Sequence, residues 1–145
     1  MKIILLSIFI GLTLSYNTES AISYARRYCK NYNRNYTYDG VKLQSPYFVG
    51  QCLKEGGFDF KGCGGRGQGG LLMTCVDLKS CLTKKGWKSK IGLPKGFKGG
   101  YPFFNGNQIA MIATGVSGNT VTYCSHVPDA CGKTTSSNNF VYFYQ

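Results

Sequence analysis

Histidine, serine and cysteine are the side chains of this sequence that could carry nucleophilic chemistry, and their numbers limit it. His126 is the only histidine, so any serine that needs an adjacent imidazole base must use it. Ser45 directly precedes Pro46, a setting that also suits a helix N-cap with proline at the first helical position, worth ~0.5–2 kcal/mol. His126 lies beside Pro128, where a lone histidine is more often structural. Seven cysteines leave at least one unpaired. No Cys-x2-Cys pair accompanies the single histidine, so a structural zinc site is not expected, nor is any cofactor. Cys52 is the candidate free thiol, and helical spacing turns it toward the core. Cys124 and Cys131 flank a turn containing Pro128 and are candidates to pair. The glycine-rich run 62–70 has no preceding strand and no closing Gly-Lys-Ser/Thr, so it reads as a loop pinned by Cys63 rather than a phosphate cradle.

Three helices and then several strands must position these groups. Ala21, Tyr24, Ala25, Tyr28 and Cys29 share one face of a helix beginning near Ser20. A polar, tyrosine-rich loop follows over 31–39 and carries the sequon Asn35-Tyr36-Thr37. A second helix runs from Ser45-Pro46 to Gly56-Gly57, with Phe48, Val49, Cys52 and Leu53 inward. Leu71, Cys75, Leu78 and Leu82 mark a third, capped by Thr74 and ended by Gly86. The period then changes to two. Residues 87–91, 109–113, 120–124 and 140–144 read as strands, and Ser117-Gly118-Asn119 as a hairpin turn. Helices first and strands later imply an α+β fold, an antiparallel sheet with helices on one side.

Composition sets the compartment. The charged start and the apolar run from Ile3 to Leu14 are too short for a bilayer, which needs roughly 20 residues, but suit a signal peptide over 1–15. Thr13 and Ser15 suit the cleavage positions, leaving one domain over 16–145, secreted or lumenal, with no transmembrane anchor. Secretion makes the cysteines disulfides before metal thiolates. Losing Lys2 lowers the formal charge from +11 to +10. No acidic residue lies between Leu78 and Pro128, whereas Lys79, Lys84, Lys85, Lys88, Lys90, Lys95 and Lys98 do. Such a cluster attracts polyanions. For a secreted protein, a bacterial envelope polymer is expected before nucleic acid, and a monomer is expected.

Several separated motifs, in order, resemble the amidase domain family related to CHAP amidases within the papain-like superfamily. They are Ala21-Ile22-Ser23-Tyr24-Ala25-Arg26-Arg27-Tyr28, Tyr47-Phe48-Val49-Gly50-Gln51-Cys52-Leu53 with Gly56-Gly57, Leu78-Lys79-Ser80-Cys81-Leu82 with Gly86-Trp87, Ile109-Ala110-Met111-Ile112, and Val116 through His126. In that family a helix opens with Asp-Cys-Ala/Thr-Asn-Phe-Val, its cysteine being the nucleophile, and a strand opens with the base histidine. The resemblance puts Ser45 at the cysteine, Gln44 at the aspartate, Tyr47 at the asparagine and Gln108 at the base. A third, orienting group would fall near Ser125 or His126.

Glutamine accepts no proton at physiological pH, and a serine hydroxyl needs a base that a cysteine thiol can do without. The resemblance therefore implies a papain-like amidase fold that has lost its catalysis. Its cleft would bind peptidoglycan or another anionic glycopeptide through Gln44, Tyr47, Trp87, Tyr101, Lys84 and Lys85. The alternative is an active amidase using Ser45, with His126 as a relocated base.

Overall fold

The computed structural model describes residues 15–36, 44–136 and 138–145. Residues 1–14 of the expected 1–15 signal peptide, Thr37 of the sequon and the end of the tyrosine-rich loop lie outside them.

Helix α1, Thr18–Tyr28, begins where the Asn17 side chain accepts a hydrogen bond from the Ser20 N–H, slightly before the expected start. Helix α2, Ser45–Glu55, buries its first nine residues, so it is the central helix and not a half-exposed one. Its N-cap is Gln44, whose side chain makes no capping bond; Ser45 and Pro46 lie within the first turn. The expected serine cap is thereby corrected, because the Ser45 hydroxyl is used elsewhere. Helix α3, Cys75–Lys84, is capped by Thr74, whose Oγ1 accepts from the Asp77 N–H at 3.1 Å.

Helices α2 and α3 end alike. Gly57 and Gly86 take φ of +91° and +89°, which glycine adopts without a Cβ clash. The next N–H then reaches back across the last turn, Phe58 to the Leu53 carbonyl at 2.9 Å and Trp87 to the Leu82 carbonyl at 3.0 Å. This closure satisfies orphan carbonyls and turns the following residue onto the helix. It delivers Phe58 and Trp87 into the same core, their ring centroids 6.1 Å apart.

Six strands follow: β1 Lys88–Ile91, β2 Pro102–Asn105, β3 Ile109–Ser117, β4 Thr120–Ser125, β5 Ala130–Thr135 and β6 Val141–Tyr144. They form one antiparallel sheet in the order β1-β6-β2-β3-β4-β5. The fold is α+β, as expected, with α1 and α2 packed on each other and on β3 and β4. Strands β2 and β5 add to the four expected. β1 is an edge strand whose residues are all exposed. Among the described residues no helix is long and apolar enough to cross a membrane.

Two disulfides hold the fold. Cys63–Cys81 pins the glycine-rich loop to α3, as expected. Cys131 bonds Cys29 and not Cys124, which corrects the expected pair. The reason is tertiary: the end of α1 comes down on β5 and brings the two Cα atoms to 5.4 Å. Cys52, Cys75 and Cys124 are unpaired and buried.

Candidate active site

Ser45 sits in the first turn of α2, only 2 % exposed. Its Oγ accepts a hydrogen bond from the Ala110 N–H at 2.9 Å. Helix α2 is thereby fastened to the start of β3, two residues beyond Gln108. The hydroxyl also hydrogen-bonds the Cys75 thiol at the first position of α3. Burial pushes the Cys75 thiol up, while Lys79 and the Ser45 hydroxyl act in the opposite direction. Ser45 thus joins α2, α3 and β3 at one buried point.

Gln108 is exposed, and its N–H donates to the Asn105 carbonyl at 3.2 Å in the turn between β2 and β3. Gln44 is also exposed, at the mouth of α2. Gln44, Ser45 and Gln108, the positions that the resemblance expects for aspartate, cysteine and base, therefore lie about the α2 terminus and the head of β3.

His126 is held differently. It is 1 % exposed, just beyond β4, and its ring stacks on Phe48 with centroids 3.8 Å apart and planes 21° from parallel. Tyr32 covers it at 4.3 Å. Nε2 lies 2.6 Å from the Tyr28 carbonyl, a main-chain acceptor, so Nε2 carries the proton and donates it there. That bond satisfies a carbonyl left open at the end of α1. Nδ1 is buried without a hydrogen-bond partner among the described residues. Burial lowers the His126 pKa, with the Tyr28 carbonyl and Asp129 acting the other way. No hydrogen bond joins Ser45 to His126 among the described residues.

The three rings expected to meet a ligand are in the core. Tyr47 is fully buried with its ring edge-on to Tyr36, and Trp87 and Tyr101 pack against each other and Tyr16. Lys84 and Lys85 donate to the Gly62 and Lys61 carbonyls at 2.7 and 2.6 Å, so their ammonium groups close the glycine-rich loop onto α3. Lys85 also lies 4.0 Å from Asp59. The Cys75 contact with Ser45 had no signal in the sequence, since the two meet only when α2 and α3 pack. No group of His, Cys, Asp and Glu suited to hold a metal occurs among the described residues.

The model of a family described as "Putative amidase domain" matches residues 15–91, just over half of the chain. The chain belongs to that family. The matched part of this amidase domain runs from the entry to α1 through β1 and contains Gln44, Ser45 and Tyr47, but ends before Gln108 and His126. No curated protein and no solved structure matches the chain.

Proposed function

We propose that this amidase domain is a secreted, papain-like member that has lost catalysis and binds an anionic cell-wall glycopeptide. The observation that carries the reading is the state of Ser45: its buried hydroxyl is engaged by the Ala110 N–H and Cys75, with no base hydrogen-bonded to it among the described residues. The only imidazole is committed to the Tyr28 carbonyl. A general base contributes about 10²–10⁴ in rate, and without nucleophile or base roughly 10³–10⁴ over water remains from binding and oxyanion donors. Secretion, with a signal peptide over 1–15 and the domain over 16–145, is supported by the two disulfides. Ligand binding is supported by the lysines. Lys88 and Lys90 on the open edge of β1, with Lys95 nearby in sequence, project free of ion pairs among the described residues.

The test is amine release from purified peptidoglycan by the oxidised protein, beside Ser45→Ala and a variant carrying Gln44→Asp, Ser45→Cys and Gln108→His. Activity confined to the triple variant is expected. Activity of the natural protein that disappears in Ser45→Ala would overturn the reading in favour of a serine amidase. In a pelleting assay with the same peptidoglycan, alanine at Lys88, Lys90 and Lys95 is expected to weaken binding. Unchanged binding would remove the lysine region from the ligand site.

A further inference from the structure

Cys29, Cys124 and Cys131 converge on one cavity of about 480 Å³, whose lining also includes Arg26, Arg27 and Lys30. Two of the sulfurs form the Cys29–Cys131 disulfide, and Cys124 keeps a free thiol. Cys124 is paired with Cys131 in the β4–β5 ladder, beside a bulge at which the register shifts between Tyr123 and Cys124. Opposed residues of an antiparallel pair have Cα atoms about 4.5–5.5 Å apart. Disulfides span Cα separations of roughly 4.4–6.8 Å. Cys131 therefore has two partners within bonding reach, one on the end of α1 and one on the neighbouring strand.

We propose that this cluster is a thiol–disulfide exchange site at which Cys131 changes partner between Cys29 and Cys124. In the forward step the Cys124 thiolate attacks the Cys131 sulfur. The Cys124–Cys131 bond forms as the Cys29–Cys131 bond breaks, and Cys29 leaves as a thiolate that takes up the proton Cys124 gave up. One disulfide and one thiol stand on each side, so no oxidant or reductant is consumed.

The surroundings suit both sulfurs. Burial holds the Cys124 thiol above its ordinary pKa, while the Gly132 backbone and Arg26 favour its thiolate. Cys29 is the C-cap of α1, where the helix dipole opposes negative charge, and the cations of the same cavity offset that on the leaving sulfur. Exchange replaces a link between helix and sheet by one within the sheet. The end of α1 then keeps the His126 hydrogen bond to Tyr28 as its polar tie to the β4–β5 turn.

The experiment holds the oxidised full-length protein at pH 8, quenches in acid, blocks thiols with N-ethylmaleimide and maps non-reduced peptides by mass spectrometry. Cleavage before Asp129 separates Cys124 from Cys131, so a bond between them joins two fragments. Both Cys29–Cys131 and Cys124–Cys131 peptides are expected, with only the first in Cys124→Ser. In Cys29→Ser, checked for a native circular dichroism spectrum, no disulfide is left to exchange, and dissolved oxygen as the two-electron oxidant is expected to join the Cys124 and Cys131 thiols. Should that variant not fold, the wild-type and Cys124→Ser maps decide alone. Complete N-ethylmaleimide labelling of Cys124 in the wild type, with Cys29–Cys131 as the only bond to Cys131, would overturn the proposal. So would bonds from Cys131 to Cys52 or Cys75, which mark general scrambling.

Discussion

The Ser45 oxygen, which the sequence resemblance expects at the nucleophile's position, is the acceptor for a buried main-chain N–H. Removing it strands the Ala110 donor, and an unsatisfied buried group costs about 1–3 kcal/mol. Ser45→Ala is therefore expected to lower the urea unfolding free energy by that amount while changing no hydrolytic rate. His126 makes a second prediction, in pH. Its folded pKa is depressed by burial, and among the described residues Nδ1 has no acceptor to stabilise an added proton. Above the unfolded value of ~6.5 both states are neutral and the stability is fully present. As the pH falls below that value the unfolded chain binds a proton that the folded chain refuses. Stability then falls by at most about 1.4 kcal/mol per pH unit for one proton, levelling off once the folded pKa is passed. Urea midpoints between pH 7.5 and 5 should show this decline, and His126→Gln should flatten it.

Helix α3 announces itself through its Thr74 cap, and α2 and α3 through their glycine stops, signals that act over a few residues and so are legible in the chain. Thr74→Ala is expected to cost about 1 kcal/mol in thermal or urea unfolding, because the Asp77 N–H loses its acceptor. The same local geometry explains where Trp87 lies. Trp87 follows a helix-ending glycine, and the closure of that helix end turns its ring into the core. Strands β2 and β5 were illegible for opposite reasons. Pro102-Phe103-Phe104 is a short, continuously buried run with no alternation to read. Lys133-Thr134-Thr135 is polar and lies on a sheet edge, where packing selects little. The candidate site was half legible in the same way. The place of Ser45 at the head of α2 follows from Pro46, whereas its contacts with Cys75 and Ala110 arise from three elements meeting.

Across the whole molecule, the Cys29–Cys131 bond closes a separation of 102 residues, from the end of the first helix to the fifth strand. In the chain-entropy account a loop near 100 residues is worth ~4.7 kcal/mol, a large part of the 5–15 kcal/mol typical of a domain. Cys131→Ser removes this bond and the one that exchange would put in its place, so its urea unfolding free energy should fall by about that amount. The other end of the sheet has a consequence for how copies of the protein behave together. Strand β1 offers an unpaired row of backbone donors and acceptors, which invites a second strand. Lys88 and Lys90 lie on it, so two copies approaching edge to edge bring like charges into contact and separate. A polyanion lying along those lysines cancels the repulsion and leaves the backbone row intact. Capture of such a polymer and crowding of the protein upon it would then be a single event, and in its absence the molecules would stay dispersed.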